Sequence, residues 1–343
     1  MAAAPLSPAE RWHAAGEYFS WAPAGEGAPA VNVFHLELGD PEAPAMSLVH
    51  GFPTCSIDWL GVAELLSSRY RVCMIDFPGY GFSDKPRGWG YTLRRDAGLL
   101  DHYLAEVLGA ESVVMVGHDR GDSVALIHAA NATQGQAGAA LEHLILTNAN
   151  IFLPLSHLTD AQRIMLHNPE LLEQLTPELL AAGMGAVTFT PPRGPDDPDV
   201  QALASTFAHE DGVAVLHETI QYLIERSVDE ERWLSSLAET ALPTSVVWGI
   251  YDTVAPVRVA MHVWQNHLMF KPGRNSMYLL PGANHYLQCD RPAALVQTIL
   301  HALDSAGDDP PGALDETLDS PVLVDRSRTE LPDARELLAA RAA

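Results

Sequence analysis

Seven short apolar runs of β-type residues alternate with stretches of helical periodicity along this chain of 343 residues. The runs are VNVFHLEL, MSLVH, RVCMIDF, SVVMVG, LEHLILT, TSVVWG and SMYLL. Runs that are apolar almost throughout are typical of parallel strands with both faces covered, and the helical stretches supply the crossovers. The alternation predicts an α/β fold with a mostly parallel, doubly wound sheet.

The alternation stops after residue 150, where leucine-rich helical segments follow one another. We therefore predict a core made of residues 1–150 and 242–304, with a helical cap inserted at 151–241. Residues 305–343 are rich in Asp and Pro and poor in aromatic residues. Such a composition is typical of segments that cannot bury enough apolar surface, so we expect a largely disordered or loosely docked acidic tail.

The charge balance bounds the partners of this chain. Forty-four acidic and 20 basic residues give a formal net charge of −24. An acidic surface of this kind repels nucleic acid and anionic membranes. The N-terminus lacks a signal-peptide pattern, and no run approaches the roughly 18 apolar residues of a membrane span. We expect a cytoplasmic protein with a small-molecule substrate and no nucleic-acid partner or membrane insertion, as a monomer or a homodimer.

The cysteines favour neither a disulfide framework nor a zinc site. Cys55, Cys73 and Cys289 are odd in number and lack C-x-x-C spacing. We expect free, partly buried thiols.

The stretch Gly117–His118–Asp119–Arg120–Gly121 has the G-x-Nu-x-G form of a nucleophile elbow, with Asp where an esterase would have Ser. Only very small residues fit beside a sharp strand-to-helix turn. The middle residue is then strained and lies beside a helix N-terminus, which keeps a carboxylate ionised. Alone, the stretch is equally consistent with an ordinary N-cap Asp after a strand.

Three other strand ends favour the catalytic interpretation. The HGFP stretch at 50–53 has the form of a loop that supplies a backbone N–H to an oxyanion hole. Asp252 ends one later strand and His285 ends the next. Nucleophile, acid and histidine follow one another in the order of an α/β-hydrolase triad, each at a strand C-terminal end. We predict a triad of Asp119, Asp252 and His285.

From about Glu17 to Ala302 the chain resembles the epoxide hydrolase and haloalkane dehalogenase branch of the α/β-hydrolase superfamily. Within that branch it is most similar to the mesoderm-specific-transcript-like proteins. The likeness is carried by HGFPTCSIDW, FPGYGFSDKP, HDRGD, TNANIF, QYLIER followed by RW, and NHYLQCDRP.

The resemblance implies a two-step hydrolysis. Asp119 attacks an electrophilic saturated carbon and forms an alkyl ester. His285, oriented by Asp252, then activates the water that hydrolyses this ester. The backbone N–H groups of Phe52 and Arg120 hold the oxyanion, and no metal or organic cofactor is needed.

The leaving group depends on residues whose roles stay open. Epoxide hydrolases of this branch protonate the opening oxygen with one or usually two cap tyrosines, and the predicted cap contains Tyr222 alone. Its hydroxyl could donate to the alkoxide, or the ring could only pack against the core. Trp233 could line the substrate or anchor the cap to the core.

Dehalogenases of the branch are matched less well. Haloalkane dehalogenases cradle the halide with a Trp after the nucleophile and a Trp or Asn near it, where this chain has Arg120 and Phe52. Fluoroacetate dehalogenases use an Arg after the nucleophile and a second Arg one turn later, where this chain has Ser123. Arg120 could clamp a carboxylate alone, or pair with a nearby acid such as Asp122.

The leading hypothesis is therefore an epoxide hydrolase, because HGFP suits that group and the halide cradle is incomplete. A haloalkane or haloacid dehalogenase is the alternative within the same chemistry. A ligand-binding, receptor-like α/β-hydrolase with little turnover is the alternative from another class.

Overall fold

The structure is a computed structural model that describes residues 5–24, 27–149, 151–306 and 320–326. Its strands are β1 (Glu17–Trp21), β2 (Val31–Leu38), β3 (Ala45–Val49), β4 (Arg71–Ile75), β5 (Ser112–His118), β6 (Ala140–Thr147), β7 (Thr244–Gly249), β8 (Ser276–Leu280) and β9 (Val322–Arg326). Within the described residues these strands form one sheet in the order β1-β2-β4-β3-β5-β6-β7-β8-β9.

The helices lie between the strands and around the sheet. They are α1 (Pro8–Ala15), α2 (Leu60–Leu66), α3 (Leu93–His102), α4 (Arg120–Thr133), α5 (Asp160–His167), α6 (Pro177–Thr188), α7 (Pro198–Ala208), α8 (Leu216–Thr219), α9 (Tyr222–Ala238), α10 (Val257–Val263), α11 (Leu287–Asp290) and α12 (Pro292–Ala306). Helices α5 to α9 form the insertion between β6 and β7.

Six of the described strands pair in parallel, namely β4, β3, β5, β6, β7 and β8 in sheet order. Strands β1, β2 and β9 join the sheet antiparallel. All seven predicted runs are strands, and those at the centre are buried almost throughout, as β7 is at every residue. The predicted α/β fold with a mostly parallel sheet is confirmed. Covering both faces requires apolar side chains at successive positions, which is why these strands lack alternation.

The strand order reverses beside β3, whose neighbours are β4 and β5. The loops after β3 and β5 consequently diverge at the carboxyl edge of the sheet, where open α/β sheets leave a crevice for ligands. The HGFP stretch follows β3 and the Asp119 elbow follows β5. This topology brings the two stretches to one point.

Within the predicted acidic tail, residues 322–326 form a strand, and the expectation that the tail is largely disordered stays a prediction. This segment forms β9 on the edge of β8, with Leu279 opposite Val322, and Trp264 Nε1 donates to Asp325 at 3.3 Å. The short β-branched run PVLVD supplies a strand for an edge that would otherwise leave its N–H and C=O groups unpaired. The remainder of the predicted tail, residues 307–319 and 327–343, lies outside the described residues.

Candidate active site

Asp119 occupies the strained turn that its flanking glycines permit. It joins β5 to α4 with φ 49° and ψ −111°, a conformation that non-glycine residues rarely adopt. A Cβ on Gly121 would lie 2.6 Å from the carbonyl oxygen of His50, and one on Gly117 would lie 3.0 Å from the backbone of Asp122. Both positions therefore require glycine, as the elbow pattern predicts.

Asp252 and His285 lie beside the elbow. His285 Nδ1 donates to Asp252 Oδ2 at 3.0 Å, while Asp252 Oδ1 accepts the backbone N–H groups of Val254 and Ala255 at 2.7 and 2.8 Å. The other ring nitrogen of His285, Nε2, lies 3.8 Å from Asp119 Oδ2. The structure thus brings the three predicted triad residues together, with Nε2 facing the nucleophile at a distance longer than a hydrogen bond.

The charges of this group lower the pKa of Asp119 and raise the pKa of His285. Burial favours the neutral acid, but the positive charges of His285 and Arg226 hold the pKa of Asp119 below its ordinary 3.8. Burial likewise opposes the imidazolium, but the carboxylates of Asp252 and Asp119 outweigh it and raise the pKa of His285 to about 10. Asp119 is therefore ionised at neutral pH, as the predicted nucleophile requires.

The loop that contains Phe52 packs directly on the nucleophile. A Cβ on Gly51 would lie 2.8 Å from Asp119 Cβ, and the ring of Phe52 is buried. His50 supports the loop, because its Nδ1 bonds the Gly51 carbonyl at 2.8 Å and its Nε2 accepts the Phe77 N–H at 3.0 Å. Among the described residues neither carboxylate oxygen of Asp119 has a hydrogen-bond partner. The oxyanion roles of the Phe52 and Arg120 N–H groups stay predictions.

Arg120 pairs with Asp96 of α3 and not with Asp122. Both side chains of the pair are buried, and the Arg120 guanidinium lies 5.1 Å from the centre of the Tyr80 ring. Asp122 Oδ1 instead accepts the backbone N–H of Thr147 at 3.3 Å. The sequence suggested a local partner, but the guanidinium reaches across to another helix.

Tyr222 begins α9 and is buried. Its ring centre lies 5.6 Å from that of Phe52 and 5.5 Å from the guanidinium carbon of Arg120. Burial, and next the charge of Asp119, raise the pKa of Tyr222 well above 10. Its hydroxyl has no hydrogen-bond partner among the described residues.

Trp233 and Ser123 have contacts outside the predicted triad. Trp233 is buried eleven residues after Tyr222 on α9, which places it about 16 Å further along the helix axis. It packs in the apolar core, and its role toward a substrate stays a prediction. Ser123 Oγ accepts a hydrogen bond from Arg226 Nε at 2.8 Å.

The sequence did not predict the roles of two buried polar residues of the site. Asn148, in TNANIF, donates to the carbonyls of Asn284 and His285 at 2.7 and 2.9 Å, and accepts the Gly249 N–H at 2.8 Å. It thereby ties together the loops after β6, β7 and β8. Arg226, in QYLIER, lies one helical turn after Tyr222, and this i, i+4 spacing was a signal that both face the core.

Within the described part of the chain, no three His, Cys, Asp or Glu side chains cluster as metal ligands. The cysteines are free, with Cys55 and Cys73 buried and Cys289 partly so, as predicted. No described helix combines the length and apolar character needed to cross a bilayer.

A parallel sheet with an elbow after β5 and an acid and a histidine after β7 and β8 defines an α/β-hydrolase. Residues 44–292 match the family described as alpha/beta hydrolase fold, and the chain belongs to that family. It is a hydrolase of the α/β-hydrolase type.

Relatives and structural neighbours agree with this assignment. The Mycobacterium tuberculosis protein LipZ, which carries the name of a hydrolase, is 30% identical over 287 residues, 82% of this chain and 96% of that protein. The mesoderm-specific transcript protein of Mus musculus is 27% identical over 313 residues, 88% of this chain and 89% of its own, which confirms the predicted resemblance. The Cif epoxide hydrolase from Acinetobacter nosocomialis superposes with a TM-score of 0.70 at 13% identity, over 86% of this chain and 91% of that one.

Proposed function

We propose that the chain is an epoxide hydrolase that forms an alkyl-enzyme ester on Asp119. A carboxylate oxygen of Asp119 attacks one epoxide carbon, the C–O bond at that carbon breaks, and the opening oxygen takes the Tyr222 hydroxyl proton. Once Asp119 is esterified, the His285 imidazolium returns a proton to the Tyr222 phenolate and becomes neutral. Its Nε2 then removes a proton from water, and the hydroxide adds to the ester carbonyl carbon.

Collapse of the tetrahedral intermediate breaks the bond between that carbon and the alkyl oxygen. The departing oxygen takes the proton held by His285, and the vicinal diol leaves. The proton that remains on the carboxyl of Asp119 passes to His285, which restores the imidazolium beside the ionised Asp119. The sum is epoxide plus water giving diol, with every side chain restored.

The observation that carries this proposal is the position of the Tyr222 hydroxyl. It is buried, the charge of the Asp119 carboxylate contributes to its raised pKa, and no described residue bonds it. A buried hydroxyl normally has a partner. A substrate oxygen that appears next to the nucleophile during attack supplies one. One structural neighbour is named an epoxide hydrolase, so the fold is compatible with this reaction.

A haloacid dehalogenase is the second candidate. Its support is that Arg120 Nε and Nη1 have no partner among the described residues and could bind a carboxylate. Against it, the Asp96 carboxylate already faces the Arg120 guanidinium. The positive charge of Arg120 is already balanced by Asp96, so Arg120 would attract a second anion only weakly. This favours a neutral substrate such as an epoxide.

The His285→Gln variant tests the proposal, because attack can proceed while hydrolysis of the ester stalls. The variant is incubated separately with epoxides, haloalkanes and haloacids, and the intact protein is weighed. An epoxide adds its full mass because nothing leaves, whereas a halogenated compound adds its mass less that of the hydrogen halide. Peptide mapping then locates the adduct, and the double variant with Asp119→Asn serves as the control.

The expected result is an epoxide adduct on Asp119 that the double variant lacks, together with diol release by the wild type. An adduct from haloacids or haloalkanes alone would replace the epoxide proposal with the dehalogenase one. If no compound forms an adduct and the wild type releases neither diol nor halide, a ligand-binding role is favoured and the catalytic proposal is wrong.

A further inference from the structure

Arg226 of the insertion lies against the peptide unit that joins Asp119 to Arg120. Its Nη2 donates to the carbonyl oxygen of Asp119 at 3.3 Å, and its Nε donates to Ser123 Oγ at 2.8 Å. The side chain is fully buried, and its guanidinium carbon lies 4.8 Å from the centre of the Tyr222 ring. Two hydrogen bonds from different nitrogens hold the planar guanidinium in one orientation.

A donor on a peptide oxygen affects the N–H of the same peptide unit. Hydrogen bonds in a chain polarise one another, and a charged donor polarises more strongly than a neutral one. The N–H of the Asp119–Arg120 peptide belongs to Arg120, which is one of the two proposed oxyanion donors. Asp122 N–H also donates to this carbonyl, at 3.3 Å, but it is a neutral donor.

We propose that Arg226 is a positioning residue which, through the Asp119 carbonyl, orients and polarises the Arg120 N–H for the oxyanion of the ester-hydrolysis step. This inference rests on the proposed function. It predicts that the rates of the two chemical steps depend on Arg226 unequally. The reason is that an oxyanion develops on the side-chain ester of Asp119 only while that ester is hydrolysed. A cap anchor with no other role would not separate the two steps.

The location of Arg226 adds a second consequence. The guanidinium comes from α9 and reaches Ser123, one helical turn beyond the nucleophile on α4. Its charge also contributes to the low pKa of Asp119. A residue of the insertion thus completes the elbow. From α9 it supplies a charge that lowers the pKa of Asp119 and a donor that bonds the backbone carbonyl of Asp119.

Selective isotope labelling tests the polarisation without any substrate. Protein labelled with 13C-carbonyl Asp and 15N-Arg gives paired signals only from Asp–Arg peptides, of which the sequence has three: Asp119–Arg120, Asp290–Arg291 and Asp325–Arg326. In Arg226→Gln we expect an upfield 15N shift of the Arg120 amide, with the other two signals as internal references. The control is Arg232→Gln, which removes an exposed arginine from the same helix.

Single-turnover kinetics then test the consequence for catalysis. With an epoxide that esterifies the wild type, we expect Arg226→Gln to slow ester hydrolysis by about tenfold or more, since loss of a whole oxyanion donor costs about 10²–10³. The rate of attack at neutral pH should change less, so the ester accumulates. Arg232→Gln should behave as the wild type in both steps.

The outcomes that overturn the inference are distinct from a failure of the proposed function. An unshifted Arg120 amide in folded Arg226→Gln, or equal slowing of attack and hydrolysis, contradicts it. If no epoxide esterifies the wild type, the labelling experiment still decides on the peptide. If Arg226→Gln does not fold, Ser123→Ala takes its place, with a smaller upfield shift expected and an unmoved Arg120 signal contradicting the inference.

Discussion

At the scale of single residues, the position of His285 between two carboxylates would couple the two steps of the proposed reaction. With Asp119 and Asp252 both ionised, the pKa of His285 is raised to about 10, so the resting ring is protonated at neutral pH. Esterification of Asp119 removes one of these negative charges. The pKa of His285 then falls, which supplies a neutral base when the ester needs hydrolysis. Formation of the proposed ester would thereby supply the neutral base that its hydrolysis requires.

Asp119→Asn reproduces this change, because the amide is as neutral as the ester. We expect the pKa of His285 to fall below about 10 in this variant, since the lost carboxylate no longer favours the imidazolium. A pH titration of the His285 ring followed by NMR measures the shift. Asp122→Asn is the matched control in the same turn. Burial raises the pKa of Asp122 well above 3.8, and the charges that raise the pKa of His285 are those of Asp252 and Asp119. Equal His285 values in the two variants would contradict the coupling.

At the scale of elements, the Arg120–Asp96 pair fastens α3 to the start of α4. Both side chains are buried, and aromatic rings of Phe77 and Tyr80 lie within 5.5 Å of the guanidinium carbon. A buried charge without its partner is costly. The pair therefore secures the helix whose N-terminus faces the nucleophile.

Asp96→Asn leaves the Arg120 charge uncompensated, and we expect it to lower the free energy of unfolding by about 3 kcal/mol or more. Urea denaturation followed by circular dichroism measures the loss. Asp229→Asn is the control, because it breaks the partly exposed 2.6 Å pair of Arg94 and Asp229 between α3 and α9. That change should cost about 1 kcal/mol or less. Similar losses in both variants would show that burial of the Arg120–Asp96 pair does not increase the cost of losing one partner.

At the scale of the molecule, the sequence predicted those features of the fold that short-range sequence patterns determine. The central strands have complete apolar runs, and the triad residues follow strands whose ends the topology brings together. The pattern could not identify Asp96 as the partner of Arg120, nor Arg226 as the partner of the Asp119 carbonyl. Those contacts join helices far apart in the chain and depend on tertiary packing. The edge strand β9 was missed because the acidic, Pro-rich composition around it outweighed a run of five residues.

The two edges of the sheet differ in how their strands reach them. A short loop joins β1 to its sheet neighbour β2, whereas more than forty residues separate β8 from β9. β9 pairs with β8 from Ser276 to Leu279 and gives Trp264 its contact with Asp325. A strand that arrives from so far along the chain can be removed without altering the strands before it.

Removal of residues 307–343 should therefore expose the outer edge of β8 while leaving the triad loop intact. Unpaired N–H and C=O groups of β8 would template pairing with another chain, so we expect larger species than the full-length chain forms at equal concentration. The Tm should also fall, by about 2–4 °C for each kcal/mol lost. Light scattering after size exclusion and a thermal scan measure both effects. Removal of residues 327–343 alone retains β9 and is the control, expected to match the full-length chain. If the two truncations behave alike, β9 does not protect the edge.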